Sequence, residues 1–460
     1  MFRGKVRQIH FVGIGGTGMC GIAEVLRTMA YRVSGSDVAE NEAVRRLRTL
    51  GVDVRIGHDP DPVGEADVVV RSSAVSMDNV EIREAVRRGI PVIPRAEMLA
   101  ELMRLKYGLA VAGTHGKTTV TSMLATCLHA AGLDPTVVIG GRLDRLESNA
   151  ALGEGPYLVA EADESDGSFL LLAPTVAVVT NVDPEHLDHY GTYDHLVDTF
   201  VDFANKVPFY GYAVLCLDHP VVQQMLPRVR RRVVTYGLTA QAEFRGEDVV
   251  VEGFQTRFAA FRDGERLGVL SVAMPGVHNA RNALAAVAAA VELDVPFETA
   301  AGALEDFGGV QRRFTRRGEV AGRLVIDDYA HHPVEIAATL DAARAGFPDR
   351  RLVAVFQPHR YSRVRHLFGG FATAFNQADA VLVCPIYPAG EPPMDGVDEL
   401  HLAEEIRAHG HRQVRAVGSL DEALTVLLAD TRPGDLVVML GAGDVTRLCP
   451  RLLEALEGAG

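Results

Sequence analysis

The chain has 460 residues, which is enough for about three domains of ordinary size. Hydrophobic residues make up 48% and charged residues 23%, a balance typical of a soluble globular protein rather than a fibrous or disordered one. The formal net charge is −14, and because an acidic surface repels phosphate backbones, we expect no nucleic acid partner.

The first segment alternates strands and helices. Strand Ile9–Val12 leads through glycines into a helix near Met19–Ala30, and strand Tyr31–Ser34 and further units follow as far as Pro94. This alternation predicts a parallel sheet with covered faces. The short N-terminal apolar run is no signal peptide, and no stretch approaches the roughly 18 apolar residues of a membrane span. With five dispersed cysteines, we therefore expect a cytoplasmic protein without a membrane partner; an oligomer is possible.

A glycine fingerprint follows the first strand. Gly13, Gly15 and Gly18 have the spacing of a dinucleotide-binding turn, and Asp37 lies where such turns place a ribose ligand. The same geometry can hold any diphosphate attached to a nucleoside. A glycine turn needed only for tight packing is the alternative.

The pattern restarts near Tyr107 with strand Leu109–Ala112, and a helix runs on through Ala131. Between them lies Gly-Thr-His-Gly-Lys-Thr-Thr at 113–119. Glycines let the backbone wrap around an anion, while Lys117 can reach phosphates and the Thr118 hydroxyl can ligate Mg²⁺. The full six-residue spacing would place glycine where Val111 stands, which disfavours an ordinary kinase or GTPase.

Two further segments follow predicted strands of this central region. Glu161 begins a run of four carboxylates, and one of them could ligate Mg²⁺ together with phosphate and water. An exposed acidic loop is the alternative. Residues 180–189 carry histidines and acids that could ligate a metal or position phosphate. For His189 and His195 we favour a structural role.

The pattern of predicted secondary structure then changes twice. From about Val233 to Pro275 the sequence alternates with turns and predicts an antiparallel patch, which an alanine-rich helix, Asn279–Leu293, follows. A third series of strands and helices begins near Gly318 and predicts a doubly wound sheet. We place domain boundaries near 107 and 317, and expect domains 1–107, 108–317 and 318–460.

Polar residues end two strands of the third series, in Asp327–Pro333 and Gln357–Arg363. Ligands bind at the carboxyl ends of parallel strands, and arginines there can clamp a carboxylate with two hydrogen bonds. Helix caps and turns are the alternative for each segment. Gln311–Phe314, at the second boundary, could bring a cation to ATP.

Together these segments resemble the Mur ligase family over essentially the whole chain. The resemblance is carried by GIGGTGM at 13–19, GTHGKTT at 113–119, EADESDGSFL at 161–170, TNVDPEHLD at 180–188, PGVHNARNA at 275–283, GVQRRF at 309–314, DDYAHHP at 327–333 and QPHRYSR at 357–363. It implies an N-terminal Rossmann-like UDP-sugar domain, a central P-loop-type ATPase domain with a mixed sheet, and a C-terminal Rossmann-like doubly wound domain for the amino acid.

The resemblance also implies an activity. The sequence is most similar to the branch that joins L-alanine to the carboxylate of UDP-N-acetylmuramate, using ATP and two Mg²⁺ ions through an acyl phosphate. Some relatives that add later residues carry a carbamylated lysine after the TN…HLD segment. The nearest lysine here, Lys206, does not match that context, which suits the alanine-adding branch.

Site residues follow from the same resemblance, position by position. The UDP-sugar site would be lined by Gly15, Gly16, Gly18, Asp37, His58 and Ser73. ATP would be bound by Gly113, Thr114, Gly116, Lys117, Thr118, Thr119, Asn279, Asn282, Arg313 and Asp328. The amino acid would meet Tyr329, His331, Arg360 and Arg363. Metal ligands would be Thr118, Glu161 and His186, and the catalytic residues Lys117, Glu161, His186 and Arg313.

Three alternatives stay open at this point. A nicotinamide-dependent oxidoreductase could use Gly13–Gly18, but it leaves the acidic run and the Arg/His segments unexplained. An ATP-binding regulatory module would bind nucleotide without turnover. A ligase that attaches a tripeptide to the same sugar nucleotide shares the phosphate and UDP motifs.

Overall fold

The computed structural model describes residues 6–143 and 148–458. The chain forms two compact units. The first unit runs to Glu247 and also includes Ala259–Leu270 and Arg281–Gly308. The second unit holds Asp248–Phe258, Ser271–Ala280 and the chain from Gly309 onward. Within the described residues, no helix has both the length and the apolar character needed to cross a membrane.

The first sheet has five parallel strands with four helices between and after them. The strands are β1 (Gln8–Val12), β2 (Arg32–Asp37), β3 (Asp53–Ile56), β4 (Val68–Arg71) and β5 (Val92–Pro94). The helices are α1 (Thr17–Thr28), α2 (Glu42–Thr49), α3 (Val80–Arg88) and α4 (Arg95–Met103). The strand order β3-β2-β1-β4-β5 reverses direction at β1, so the carboxyl end of β1 is the point where such sheets bind ligands.

The second sheet has ten strands. They are β6 (Tyr107–Ala112), β7 (Thr136–Leu143), β8 (Ser148–Ala151), β9 (Tyr157–Glu161), β10 (Val176–Val179), β11 (Tyr212–Cys216), β12 (Arg232–Gly237), β13 (Phe244–Glu252), β14 (Gln255–Arg262) and β15 (Glu265–Val272). The helices are α5 (Lys117–Ala130), α6 (Leu187–Tyr190), α7 (Tyr193–Asn205), α8 (Pro220–Met225), α9 (Val277–Val291) and α10 (Phe297–Glu305). In the order β15-β14-β13-β12-β11-β10-β6-β9-β7-β8, strand β6 lies between β10 and β9, which carry the two neighbouring polar segments.

The predicted antiparallel patch begins later than expected. Strands β13, β14 and β15 are neighbours joined by two-residue connections, which only antiparallel strands allow. Strand β12, which starts at Arg232, instead pairs in parallel with β11 and β13. The expected start at Val233 was therefore wrong by one strand, because alternation along a single strand does not reveal its partner's direction.

The third sheet has six strands in the order β16-β17-β21-β18-β19-β20, of which only β16 is antiparallel to its neighbour in the described pairings. The strands are β16 (Thr315–Val320), β17 (Arg323–Asp328), β18 (Arg351–Phe356), β19 (Ala380–Val383), β20 (Val414–Ala416) and β21 (Asp435–Leu440). The helices are α11 (Pro333–Gly346), α12 (Tyr361–His366), α13 (Phe368–Thr373), α14 (Glu399–Ala408), α15 (Leu420–Asp430) and α16 (Leu448–Gly458).

Alternate residues of these strands enter different apolar cores. In β18, Leu352, Ala354 and Phe356 belong to one core, whereas Val353 and Val355 belong to the other. Because successive side chains of a strand point to opposite faces, both faces of the sheet are covered. The predicted α/β class with a doubly wound C-terminal sheet is confirmed.

Candidate active site

The phosphate loop, residues 113–119, connects β6 to α5. Gly113 and Gly116 have φ values of +139° and +84°, in the region that favours glycine. A Cβ at Gly113 would lie 2.0 Å from Thr180 Oγ1, so no larger residue fits there. The loop therefore wraps tightly and aims the N-terminus of α5 at any anion it holds.

Residues 180–183, after β10, hold the phosphate loop in place. Thr180 Oγ1 and Asn181 Nδ2 donate to the carbonyl oxygen of His115 at 2.6 and 3.0 Å. The His115 N–H donates to Asn181 Oδ1 at 2.8 Å, and the Asp183 N–H donates to Thr114 Oγ1 at 2.8 Å. These bonds fix the loop's shape before any nucleotide arrives.

Asp183 also faces two imidazoles. Its carboxylate oxygens lie 3.3 Å from Nε2 of His115 and 3.4 Å from Nε2 of His219. Burial alone would raise the pKa of Asp183, but hydrogen bonds from the two histidines hold that pKa well below its usual range. The ionised carboxylate thus anchors the phosphate loop.

Lys117 lies among carboxylates. Its ammonium Nζ is 2.8 Å from an oxygen of the buried Glu164 and donates to the Gly113 carbonyl at 2.6 Å. Burial alone would lower the pKa of Lys117, but Glu164, Asp163 and Glu161 raise it above its ordinary value. Burial also raises the pKa of Glu164, against the pull of Lys117. Arg95 pairs with Asp163 at 3.0 Å, so two cations face three carboxylates and leave negative charge that a further cation can balance.

The predicted metal and phosphate ligands occupy two places. Thr118 and Thr119 lie in the first turn of α5, half-buried and buried respectively. Glu161 ends β9, within the electrostatic reach of Lys117. His186 is half-buried before α6 with a φ of +56°, a conformation that strains a residue with a Cβ and marks functional segments in many proteins.

The two predicted adenine residues share helix α9. A Cβ at Gly116 would lie 2.8 Å from Asn282 Oδ1, so Asn282 lies directly against the phosphate loop. Asn279 is buried, and its side-chain amide donates to the Pro275 carbonyl at 2.8 Å, which closes the turn before the helix. The structure thus brings Asn282 to the loop and gives Asn279 a capping contact.

The glycine loop, residues 13–18, is held by two polar side chains. The Gly15 N–H donates to Asp37 Oδ2 at 2.8 Å, and Asn41 Nδ2 donates to the Gly15 carbonyl at 3.1 Å. A Cβ at Gly15 would come within 2.9 Å of both side chains. Gly16 is the N-cap of α1. Asp37, predicted as a ribose ligand, therefore also orders the loop.

A buried network lies beside the glycine loop. Ser36 Oγ donates to Glu81 Oε2 at 2.5 Å and lies 3.0 Å from Nδ1 of His58. The Asp59 N–H donates to Glu81 Oε1 at 3.1 Å. Burial would raise the pKa of Glu81, but hydrogen bonds from His10, Ser36 and the Asp59 amide lower it. Glu81 thus holds the predicted UDP-sugar ligand His58 in place.

The remaining predicted UDP-sugar residues lie apart from this network. Ser73 is exposed in the turn that follows β4. Gly18 lies in the first turn of α1, where a Cβ would stand 2.7 Å from Nη1 of Arg95. An arginine outside the predicted set therefore covers this end of the loop.

In the second unit, Asp328 ends β17 and accepts two backbone hydrogen bonds. The Phe314 N–H donates to its Oδ2 at 2.7 Å and the Ala330 N–H to its Oδ1 at 2.8 Å. Burial raises the pKa of Asp328 to about 6, although Arg313 and the two amides oppose the rise. The Arg313 guanidinium lies 5.5 Å from the centre of the Tyr329 ring.

The predicted amino-acid residues gather around a histidine that was not predicted. The His331 ring lies 5.2 Å from the Tyr329 ring and 6.1 Å from the His359 ring, and Arg363 Nη1 is 3.3 Å from His359 Nδ1. Burial, together with the nearby His331, Arg363 and Arg360, lowers the pKa of His359 to about 4. Arg360 is exposed at the start of α12 with a φ of +68°.

Known proteins match the chain over its length. Three family models cover consecutive parts: the Mur ligase family catalytic domain at 8–107, the Mur ligase middle domain at 111–290 and the Mur ligase glutamate ligase domain at 312–443. The UDP-N-acetylmuramate–L-alanine ligase of Sorangium cellulosum is 57% identical over 99% of this chain and 97% of the relative. The enzyme of the same name from Geobacter sp. strain M21 is 57% identical, over 99% of each chain. The chain belongs to the Mur ligase family.

Solved structures agree with this assignment. A UDP-N-acetylmuramate–alanine ligase from Thermotoga maritima matches with a TM-score of 0.83 at 30% identity, over 98% of this chain and 100% of that one. A murein peptide ligase from Psychrobacter arcticus matches with a TM-score of 0.70 at 28% identity, over 98% of each chain. The predicted family and its three-domain architecture are confirmed.

Several polar residues of this Mur ligase escaped the sequence prediction. The sequence singled out Glu161 of the acidic run as a metal ligand and named no partner for Lys117, which the structure pairs with Glu164 of the same run. His359 was visible inside Gln357–Arg363 but had no assigned role. Glu81 and Arg95 carried no signal, because a single charged residue on a predicted helix is normally a solvated one.

The residues around the phosphate loop fit the Mg²⁺ that this Mur ligase family implies. Among residues 6–143 and 148–458, no cluster of three or more His, Cys, Asp or Glu side chains has the geometry of a metal site. Mg²⁺ is usually held by one or two carboxylates together with substrate phosphates and water, so such a cluster is not required. Thr118 and Glu161 supply oxygen ligands of the right kind beside an excess of negative charge.

Proposed function

We propose that this chain joins L-alanine to the carboxylate of UDP-N-acetylmuramate in an ATP-dependent reaction of peptidoglycan precursor synthesis, carried out in the cytoplasm. The observation that carries the proposal is Lys117, held among carboxylates in a glycine-lined loop at a helix N-terminus. The 57% identity over 99% of the chain to relatives named for this reaction supports the choice of substrates.

The proposed division of labour follows the chain. Residues 1–107 would bind the UDP-sugar, 108–317 ATP and 318–460 the amino acid. Each range contains a cluster at the carboxyl end of a parallel strand: the glycine loop after β1, the phosphate loop after β6 and the aromatic and basic residues after β17 and β18. Such ends are where open α/β sheets bind ligands, which supports the division.

In the first step, a carboxylate oxygen of the sugar attacks the γ-phosphorus of ATP. A carboxyl–phosphate bond forms, the bond to the β–γ bridging oxygen breaks, and ADP leaves with the electron pair. Lys117 would exchange Glu164 for the phosphate oxygens and cancel their charge, with Arg313 and His186 as further candidates. Mg²⁺ held by Thr118 and Glu161 would supply further charge cancellation and orient the phosphates.

In the second step, the neutral amine of L-alanine attacks the acyl carbon and inorganic phosphate leaves. The alanine ammonium must first lose one proton to solvent, which the cations Arg360 and Arg363 would favour while they bind the carboxylate. A second amine proton leaves with the phosphate as the amide bond forms. Tyr329 and His331 would line the same side. Positioning accounts for most of the rate enhancement here, since an acyl phosphate is already reactive.

The test is an ADP-release assay with UDP-N-acetylmuramate, MgATP and single amine substrates: L-alanine, glycine, L-serine and the murein tripeptide. We expect release that depends on both the sugar nucleotide and an amine, with the highest kcat/KM for L-alanine. A preference for the tripeptide would contradict the proposal and favour the alternative, a ligase that attaches a tripeptide to the same sugar nucleotide. Release that ignores every amine would contradict ligation altogether.

A control experiment tests the alternative that the chain is a nicotinamide-dependent oxidoreductase. NADH and NADPH are titrated against the same protein and followed by fluorescence, with UDP-N-acetylmuramate added afterwards. We expect no saturable nicotinamide binding at concentrations where the sugar nucleotide saturates. Binding that the sugar nucleotide displaces would assign Gly13–Gly18 to a nicotinamide cofactor instead.

A further inference from the structure

Arg95 is the first residue of α4, and its side chain covers the glycine loop. A Cβ built on Gly18 would lie 2.7 Å from Arg95 Nη1 and 3.1 Å from Cζ. Because Gly18 has no side chain, the guanidinium comes directly against the first turn of α1. A side chain at position 18 would therefore displace the Arg95 guanidinium from this place.

The same guanidinium contacts the acidic run. Arg95 Nη2 donates to Asp163 Oδ2 at 3.0 Å, and the Ser165 N–H donates to Asp163 Oδ1 at 3.1 Å. Arg95 is 23% exposed and Asp163 is 44% exposed. Asp163 is also one of the carboxylates that raise the pKa of Lys117. One arginine therefore connects the glycine loop with the acidic run beside the phosphate loop.

The surroundings of Arg95 favour the binding of an anion in addition to Asp163. The first turn of α1 contains no acidic residue, and the helix N-terminus carries partial positive charge. A guanidinium has five N–H donors in a fixed fork, and the bond to Asp163 uses one of its terminal nitrogens. An oxygen anion placed on the glycine loop would reach both the helix amides and the remaining donors of Arg95.

We propose that Arg95 binds the diphosphate of the UDP-sugar and that Asp163 is the positioning residue that keeps its guanidinium over the glycine loop. This inference rests on the proposed function. Arg95 then plays at the glycine loop the part that Lys117 plays at the phosphate loop. Through Asp163, the sugar nucleotide's diphosphate is held at a fixed place relative to the acidic run.

Calorimetric titration of the whole chain with UDP-N-acetylmuramate tests the diphosphate contact. We expect Arg95→Ala to weaken binding by about ten- to a hundredfold, the size of a lost charge-assisted contact, while the affinity for a non-hydrolysable ATP analogue changes less than twofold. Arg95→Lys should restore part of the affinity, because it keeps the charge and loses the fork.

The matched control is Arg104→Ala, at the other end of α4, where Arg104 pairs with Glu101 on the helix surface. This variant should bind the sugar nucleotide like the unchanged chain. If Arg95→Ala, with an unchanged melting temperature, also binds it within twofold of the unchanged chain, the proposed contact is excluded. If the unchanged chain itself fails to bind UDP-N-acetylmuramate, the proposed function fails first, so the two failures are distinguishable.

A double-mutant cycle tests the role of Asp163. Asp163→Asn should weaken the binding of UDP-N-acetylmuramate while Arg95 is present and have no effect in the Arg95→Ala background. A merely structural role for Asp163 would change the affinity by the same factor in both backgrounds. That result, or no effect in either background, would overturn the positioning role.

Discussion

The two glycine loops of the first unit share one backbone plan and differ in the source of their positive charge. Each follows a parallel strand and opens a helix, after β1 and after β6. The phosphate loop carries its own cation, Lys117, whereas the glycine loop is covered by Arg95 from a later helix. When the cation belongs to the loop's own sequence, a short motif predicts it. When the cation comes from a distant helix, no local motif predicts it.

The two loops also differ in how they are held. Residues 180–183, which follow a neighbouring strand of the same sheet, fix the phosphate loop through backbone and side-chain hydrogen bonds. The glycine loop depends on Asp37 and Asn41, which lie at and just after the end of β2. We therefore expect substitutions at the two loops to affect different kinetic constants.

The largest expected effect is at Lys117. Replacement by alanine should lower kcat for ADP release by about a thousandfold, because the transferring phosphoryl loses the cation that the phosphate loop supplies. The KM for the sugar nucleotide should change little. Lys206→Ala, at an exposed lysine after α7, is the control and should leave kcat unchanged. If a folded Lys117→Ala chain turns over at an undiminished rate, the phosphate loop does not act through its own cation, and the contrast with the glycine loop fails.

Gly15→Ala should act on the other loop. The new Cβ would collide with the side chains of Asp37 and Asn41, so the hydrogen bonds that hold the loop are disturbed and the loop fits the ligand less well. We expect the KM for UDP-N-acetylmuramate to rise by about tenfold or more, with the KM for ATP within twofold. Gly302→Ala, in α10 with open space at its Cβ, is the control and should be neutral or slightly stabilising. Equal changes in both KM values would count against separate sites.

Glu81→Gln should have a smaller effect on the binding of the sugar nucleotide. The glutamine amide has a single oxygen, so it cannot replace both carboxylate oxygens that accept from Ser36 and from the Asp59 N–H. His58 therefore loses its fixed position. We expect the KM for the sugar nucleotide to rise about fivefold, with kcat almost unchanged. Glu84→Gln, on the same helix but paired with arginines on its surface, is the control. A fall in kcat without a change in KM would show that Glu81 acts elsewhere.

The smallest expected effect concerns stability and pH at the phosphate loop. The pKa of Asp183 is lowered in the folded chain, so its stabilisation is present above the ordinary value of 3.8 and is lost as pH falls below it. Asp183→Asn should therefore lower the melting temperature by about 3 °C at pH 7, and the difference should shrink near pH 3. A difference that is equal at both pH values would show that the ionised form is not what stabilises the loop.

The sequence predicted the fold class and the family because their signals are local. Strand Leu109–Ala112 was expected where β6 (Tyr107–Ala112) is found, and the helix after Gly116 ends at Ala130 rather than Ala131. Apolar runs punctuated by glycine and proline determine such elements almost independently of their neighbours. The direction of β12 was not local, since it depends on which strands lie beside it.

The site divides in the same way. Lys117 could be assigned from its own heptapeptide, because the glycines, the ammonium and the helix N-terminus that act together are contiguous in the chain. The choice of Glu164 as its partner, the anchoring of the loop by Asp183, and the placement of Arg95 over Gly18 were decided only by the tertiary structure. The physical reason is distance along the chain: a charge finds its partner through packing of separate strands and helices, and no spacing rule in the sequence records that meeting.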